Sequence, residues 1–399
     1  MEIKTERTTL KFYSDYVLKV YNVDDTINKM SSVENEFKSF EKFSMGGKNP
    51  YCPEVGLLGK DTYKIKRYNF CLGGRKRIEE SNIRRMLFTI SFEEFDKQLT
   101  DIEHLLKETG IVHRDINPGN LLFCENERKL KLIDFYWAKS NGINPGDPPN
   151  LNDRYSTNDS VSFRMIKDEV KFIDEQVRKM VDTTLRYHLN EMGRVYLDGS
   201  AGAQGRAYHT IDIPYLKDVP KSNDGREEFN TILKNMTVKP KKILDIGCAV
   251  GFNTFNMMRK FDLDLAVGFE ADPHVYSFLQ GCKTLFNLSE FFVEPGITPD
   301  FYVPHVDIIL CMNVHMWLHK QFGKEGCDKI MNELLKYCKE MFFQTAGSES
   351  HGMYLIKELN SKETIEQYLK SLNSKEVHFI RTTNAHGGFR HFFRVKGQA

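Results

Sequence analysis

The sequence predicts two consecutive domains of different class: a compact α+β domain over residues 1–195, then an α/β domain with a largely parallel sheet over 196–399. Three observations predict this. The chain has 399 residues, more than one average domain holds. After Gly225, short apolar runs alternate with helical stretches, as in a parallel sheet with crossover helices. Before residue 195, the strand-like runs YVLKVY, YKIKRYNFCL and LKLI share the chain with helical segments and with acidic and amide residues set between apolar flanks.

Composition narrows the class. The apolar fraction is 40 % and the charged fraction 28 %, values that suit soluble domains with real cores. A net charge of +1 gives no strong nucleic-acid signal and no bulk attraction to an anionic membrane. The eight cysteines are scattered, with no CxxC pair and no Cys/His cluster at zinc spacing, so reduced thiols are expected. No apolar run approaches the ~18 residues of a membrane span, and MEIKTERTTLKFY has no signal-like core. The expectation is a soluble, cytoplasmic protein without an integral membrane segment.

In YVLKVY, Lys19 sits mid-strand among apolar neighbours. The helical segment SSVENEFKSFEKF follows, with Phe37 and Phe40 at helical spacing and Glu34 and Glu36 within it. Residues 63–72, YKIKRYNFCL, read as a further strand-like run. Then comes GIVHRDINPGNLLF at 110–123, with Asp115 and Asn120 five residues apart. The run LKLI leads into Asp134, a carboxylate at a strand end.

This order and spacing resembles protein kinases. There a loop aspartate accepts the substrate hydroxyl proton, an asparagine five residues on holds a metal ion, and a strand-end aspartate holds another. The resemblance implies Asp115 as the catalytic base, Asn120 and Asp134 as Mg²⁺ ligands, Lys19, paired with Glu36 or alternatively Glu34, as the grip on the phosphates of ATP, and residues 63–72 as the fifth strand and the hinge that receives adenine. The departures concern other parts. No glycine precedes Lys19, so the phosphate-covering loop is short or absent, with ERTT as a substitute. Asn117 stands where Ser/Thr kinases carry lysine, and Tyr136 replaces the glycine of DFG. No APE motif follows. The pattern resembles compact kinases of sugars and other small molecules more than protein kinases.

NGINPGDPPNLND at 141–153 reads as irregular. Phe172, Ile173, Val177, Met180, Val181, Leu185 and Leu189 recur at helical spacing, predicting an amphipathic helix that closes the first domain or bridges the two. A second irregular stretch, 198–225, begins just after the boundary placed near residue 195.

In the second domain, KILDIG, LAVGFEA, FFVEPG, VDIILCM and MFFQTA predict strands, and NTFNMMRKF, HVYSFLQGCKTLF, KIMNELLKYCKEM and KETIEQYLKSL predict helices. EVHFIRTT and FRHFFRVK, joined through Gly387 and Gly388, predict an antiparallel hairpin. KKILDIGCAVGFNTF sets Asp245, Gly247, Cys248 and Gly251 at a strand-to-helix turn, where backbone N–H groups can meet a ligand. Glu270 ends the second strand, where a carboxylate can accept from two ribose hydroxyls at ~1.5–3 kcal/mol each. The turn alone also fits an NAD-type domain. The D-x-G-x-x-x-G spacing resembles the first motif of class I S-adenosylmethionine-dependent methyltransferases, a Rossmann-like fold with a reversed last strand, over roughly residues 205–399.

That resemblance implies S-adenosylmethionine as cofactor. Asp245 and the 247–251 loop would hold its methionine end and Glu270 its ribose, with Ala271 and Asp272 beside the adenine. Asn313 and His315, after the fourth strand, are further candidates. His315 would be the general base for a hydroxyl acceptor or else a buried structural histidine; a phosphate acceptor needs no base. The lead-in GRAYHTIDIP followed by DGREEFNTIL resembles that of sugar- and tRNA-modifying methyltransferases, implying contacts from Arg206, Tyr208 and Arg226.

Together the halves resemble the bifunctional methyltransferase/kinase chain terminators of bacterial O-antigen polysaccharides, with the domain order reversed. The resemblance implies a multifunctional enzyme of polysaccharide biosynthesis that uses ATP, Mg²⁺ and S-adenosylmethionine on a glycan or small-molecule acceptor, in association with a glycosyltransferase complex. The alternative is a methyltransferase whose kinase-like domain only binds a nucleotide or a partner.

Overall fold

The computed structural model describes residues 2–4, 8–13, 15–21, 26–58, 62–140, 155, 157–192, 207–346, 356, 358–385 and 388–399, with the backbone alone at 26–33, 346, 384–385 and 388. The chain divides into two compact units, Met1–Lys179 and Met180–Ala399. The division lies N-terminal of the boundary expected near residue 195, which itself falls outside the described residues, as does the irregular stretch 141–153.

In the first unit, β1 (Glu2–Lys4), β2 (Thr8–Phe12), β3 (Tyr16–Tyr21), β4 (Val55–Leu57) and β5 (Thr62–Lys66) form an antiparallel sheet in the order β1-β2-β3-β5-β4. Helix α1 (Thr26–Ser44) joins β3 to β4, and its Phe40 and Phe43 are buried. The strands β6 (Phe70–Cys71), β7 (Gly73–Gly74) and β8 (Arg77–Ile78) are short, the last two forming a hairpin. After α2 (Glu80–Leu87) comes α3 (Phe92–Glu108), capped by Ser91, whose hydroxyl accepts from the Glu94 N–H at 3.2 Å. Its buried Phe95, Leu99, Ile102 and Leu106 lie on one helical stripe. The hairpin β9 (Leu121–Cys124) and β10 (Lys129–Leu132) carries the candidate loop on one side and Asp134 on the other, and β9 also pairs with β6.

The amphipathic helix begins earlier than its periodicity suggested, as α4 (Asp159–Met180). Its stripe is Phe163, Ile166, Val170, Ile173 and Val177, whereas Phe172 is 63 % exposed and Met180 41 % exposed. A π-helical turn, Val181–Leu185, then leads into α5 (Arg186–Glu191). Within the second unit, Val181, Leu185 and Leu189 are each buried at four-residue spacing through the wider π turn and into α5.

The second unit is built on β11 (Lys242–Ile246), β12 (Leu265–Phe269), β13 (Phe291–Glu294), β14 (Val306–Met312), β15 (Cys338–Ala346), β16 (Glu376–Ala385) and β17 (Gly388–Lys396). Their order is β13-β12-β11-β14-β15-β17-β16, parallel through β15, with β17 antiparallel to both its neighbours. Counted from β11, this is 3-2-1-4-5-7-6 with the seventh strand reversed, the Rossmann-like arrangement that the resemblance implied. Helices α6 (Arg226–Asn235), α7 (Phe252–Lys260), α8 (Pro273–Leu285), α9 (His315–Lys336) and α10 (Lys362–Ser371) complete it. Leu244 and Ile246 pack with Ile330, Leu334, Ile365 and Leu369 of α9 and α10, while Asp245 between them bonds Thr254 of α7. The sheet is therefore covered on both faces, as a parallel sheet requires.

Two element ends differ from expectation. The helix expected to run on to Met341 stops at Lys336, and Cys338 already pairs with Val306 as β15. Sheet pairing outweighs the helical pattern of KYCKEM. Helix α9 also starts sooner, at His315, and is broken at Gly323, whose φ of 66° with ψ of −176° is a combination that essentially only glycine adopts.

Candidate functional site

In the first unit, Lys19 stands on β3 between β2 and β5 and is buried. Its Nζ lies 3.2 Å from both oxygens of the fully buried Glu36 and 2.6 Å from Oδ1 of Asp134. Glu34, the alternative partner, is exposed and paired with Lys38 at 2.6 Å. The Tyr21 and Tyr63 hydroxyls both donate to Glu36, the latter at 2.7 Å. Burial alone would discharge Lys19, but Asp134 and Glu36 outweigh it and hold the ammonium well above its ordinary range. Burial pushes Glu36 up, while Lys19 and the two phenols oppose it. Burial also works against the Asp134 carboxylate, yet the Lys19 charge and hydrogen bond keep it below the usual range.

Asp134 is left-handed, at φ 64° and ψ 61°. Phe135 after it packs against Phe40, Phe43 and His113 at ring separations of 4.8, 5.2 and 4.7 Å. Tyr136 stacks on Tyr21 at 6.0 Å, so the residue in place of glycine is itself packed. The candidate loop is held from below. The N–H groups of His113 and Arg114 donate to the Asp159 carboxylate at 2.6 and 2.7 Å, and Arg114 is left-handed at φ 68°. His113 Nε2 meets the Ile133 carbonyl at 3.0 Å. Asn120 Nδ2 donates to the Asp115 carbonyl at 2.8 Å, and the Asn120 carbonyl accepts from the Ile133 N–H at 3.0 Å. Asp115, Asn120 and Asp134 thus belong to one hydrogen-bonded framework. Burial and the Asp134 charge raise Asp115, opposed by Arg75.

With its amide hydrogens turned to Asp115, Asn120 keeps its Oδ1 for a hard cation, and Asp134 has a second oxygen beyond the one facing Lys19. Among the described residues no group of three or more His, Cys, Asp or Glu side chains could hold a metal alone. Such a pair fits a Mg²⁺ ion whose shell is completed by phosphates and water.

In the second unit, Asp245 is buried at the end of β11 and accepts from Thr254 Oγ1 at 2.6 Å. Glu270 accepts from the Ala249 N–H at 2.8 Å and from the Asp272 N–H at 2.9 Å, one on each oxygen. Each oxygen keeps a lone pair, which fits two vicinal hydroxyls. Burial raises Glu270. Asp272 caps α8, accepting from His274 and Val275 N–H at 2.8 and 3.1 Å, and Ala271 lies between these two carboxylates. Gly247 and Gly251 take φ of 67° and 78°, and a Cβ there would stand 2.8 Å from Val314 Cγ2 and from the Phe255 ring, respectively. Those glycines are demanded by the turn and by protein neighbours, where the sequence suggested ligand approach. Cys248 is buried, its thiol against Gly268 and its N–H on the Phe269 carbonyl.

Asn313, at φ 60°, ties β14 to β15 through Gln344 at 2.7 Å, leaving its buried Oδ1 without a partner among the described residues. His315 is placed as a core residue. It is 1 % exposed, its Nε2 meets the Tyr368 hydroxyl at 3.0 Å, and burial lowers it to about 4. Tyr208 takes a hydrogen bond from the buried Arg390 at 2.5 Å. Arg226 is mostly exposed beside Asp224, and Arg206 lies outside the described residues.

Sequence reasoning missed Tyr21, Tyr63, Asp159, His209 and Arg390. Tyr21 was findable, two residues from Lys19 on the same strand face. Tyr63 faces Lys19 only through the β3–β5 register. His209 meets Glu228 at 3.5 Å beside Phe252, a pairing no local spacing announces.

Asp245 carries a pH prediction. Burial raises it from 3.8 to about 7, so between those values the folded state holds a proton that the unfolded chain has released. Stability therefore falls as pH rises through that window, by about 1.4 kcal/mol per pH unit for this group. Asp245→Asn should flatten the decline seen in chemical unfolding between pH 4 and 7. An unchanged slope would show that the proton is bound elsewhere.

No protein-family profile matches the chain. It is 27 % identical over 103 residues to the U6 snRNA methylphosphate capping enzyme Amus of Drosophila melanogaster, a match covering 22 % of this chain and 34 % of that protein. Among solved structures, it is similar to the bifunctional kinase-methyltransferase WbdD, with a TM-score of 0.42 and 13 % identity over 49 % of this chain and 44 % of the other. It is also similar to a phosphoethanolamine N-methyltransferase 2 of Haemonchus contortus bound to S-adenosylhomocysteine, with a TM-score of 0.34 and 11 % identity over 43 % of this chain and 53 % of the other. The chain spans about a third of the curated relative and under half of WbdD.

Proposed function

We propose that the chain is a bifunctional transferase. The first unit would be a compact kinase-like domain that phosphorylates a glycan or other small hydroxylated acceptor with ATP and Mg²⁺, and the second would methylate the product with S-adenosylmethionine. The observation that carries this is the convergence of Lys19, the buried Glu36 and the half-buried Asp134 on one ion-pair cluster, with Asp115 and Asn120 on the adjoining framework. In this reading Lys19, held by Glu36, grips phosphate oxygens, and Asn120 and Asp134 hold Mg²⁺. Asp115, with its proton affinity raised, takes the acceptor's hydroxyl proton. Glu270 holds the ribose of the methyl donor, whose sulfonium supplies the methyl group.

A phosphate oxygen is the favoured methyl acceptor. It needs no base, and His315 is buried and neutral with Nε2 engaged by Tyr368. Methylphosphate capping, which the curated relative's name describes, is chemistry of the same kind. A hydroxyl acceptor served by the His209–Glu228 pair is the competing acceptor. Incubation with γ-labelled ATP and a panel of glycans tests the kinase half. Mg²⁺-dependent labelling that Asp134→Asn abolishes is expected; equal labelling by both proteins would count against it.

The second reading keeps the methyltransferase and makes the first unit a binder only. The Lys19–Asp134 contact at 2.6 Å favours it, since it occupies an oxygen that a metal would use. Mg²⁺-dependent ATP binding without turnover, on an acceptor that is methylated, would select it.

A further inference from the structure

We propose that Arg75 supplies the phosphate-facing cation of the kinase centre, the charge that Asn117 leaves out of the candidate loop. This inference rests on the kinase reading of the first unit. Position 117 lies two residues after Asp115, where Ser/Thr kinases carry lysine. Here the Asn117 side chain is fully used within the loop. Its Nδ2 donates to Asp115 Oδ1 and to the Asp115 carbonyl, both at 3.1 Å, and its Oδ1 accepts from the Gly119 N–H at 2.9 Å. The loop therefore offers no cation of its own at that point.

Arg75 brings one from a different element. It sits at the turn of the β7–β8 hairpin, and its Nη2 lies 3.5 Å from Asp115 Oδ1, the oxygen that Asn117 also contacts. The hairpin is not a loose surface turn. The Leu72 N–H donates to Leu121 of β9 and the Glu79 N–H returns to the Leu72 carbonyl, each at 2.9 Å. The Cys71 thiol reaches the Gly73 carbonyl at 3.1 Å. A Cβ on Gly73 would stand 2.4 Å from the Arg77 carbonyl, and one on Gly119 would stand 3.6 Å from the Arg75 nitrogen. The backbone carrying Arg75 is thus packed on the Pro118–Asn120 turn, while its side chain remains 45 % exposed and able to swing.

The electrostatics fit such a swing. A guanidinium resting on Asp115 opposes the repulsion between that carboxylate and Asp134. An arriving terminal phosphate offers it a stronger, bidentate partner, and its departure frees Asp115 as an acceptor of the hydroxyl proton. Arginine in this role stabilises the charge that develops on the transferred phosphoryl oxygens.

The test is equilibrium titration of the full chain with Mg·ATP and Mg·ADP, read by calorimetry. Arg75→Ala should weaken ATP by about tenfold, equivalent to about 1.4 kcal/mol, while ADP, lacking the terminal phosphate, changes little. Arg75→Lys should retain most of the ATP preference. Asn117→Lys placed in the Arg75→Ala background should restore ATP affinity, with thermal unfolding confirming that the loop still folds. Equal loss for both nucleotides, no loss for either, or no restoration in a folded double variant would overturn the proposal. If the unaltered chain binds neither nucleotide, the kinase reading fails, and this inference with it.

Discussion

Asp115→Asn should lower phosphoryl transfer by about 10²–10⁴-fold, the range that a positioned general base contributes. The substitution is nearly isosteric, and the loop's main supports do not pass through the Asp115 carboxylate. Asp159 holds the loop by the backbone of His113 and Arg114, and Asn120 takes the Asp115 carbonyl at 2.8 Å. The fold should therefore survive while the proton acceptor is lost. The effect should appear in kcat more than in KM for ATP, because the phosphates are assigned to Lys19, Arg75 and the metal ligands. Initial rates with labelled ATP measure it. A variant as fast as wild type would remove Asp115 from the chemistry.

Glu270→Gln should weaken S-adenosylhomocysteine binding by about 10–100-fold. The carboxylate already accepts from Ala249 and Asp272 at 2.8 and 2.9 Å, and each oxygen has capacity for one ribose hydroxyl. Hydrogen bonds to a charged acceptor contribute ~1.5–3 kcal/mol each, and an amide both loses the charge and turns a donor toward one N–H. The shape of the turn should persist, since the left-handed Gly247, Ala249 and Gly251 are fixed by backbone and packing. Calorimetry reads the loss directly. Undiminished affinity would mean that the ribose is held elsewhere and that the nucleotide-type reading of the turn is mistaken.

The legible parts of this molecule are those where chemistry and local periodicity coincide. Lys19 stands out because a cation in an apolar strand needs a buried partner, and the kinase resemblance pointed to Glu36 in the following helical segment. Asp245, Gly247, Gly251 and Glu270 stand out because strand, turn and helix follow one another within a few residues. The reversed β17 was legible from a two-strand run joined by glycines.

The illegible parts depend on distant partners. His315 follows a parallel strand and so reads as a site residue. Yet Asn313 turns the chain at φ 60°, and His315 enters the core against Tyr368, which is 53 residues away. Asp159 supports the loop from 45 or 46 residues downstream, and nothing in its own neighbourhood marks it. The π turn Val181–Leu185 is a local widening of the helix that residue spacing alone does not report.

The central claim is that phosphorylation creates the group that is then methylated. It is tested most directly by mass spectrometry of a synthetic acceptor panel incubated with Mg·ATP, with S-adenosylmethionine, and with both. The account predicts a phosphoryl gain with ATP alone, no gain with S-adenosylmethionine alone, and phosphoryl plus methyl with both, the methyl on phosphate by fragmentation. A methyl gain on an acceptor never exposed to ATP would contradict it.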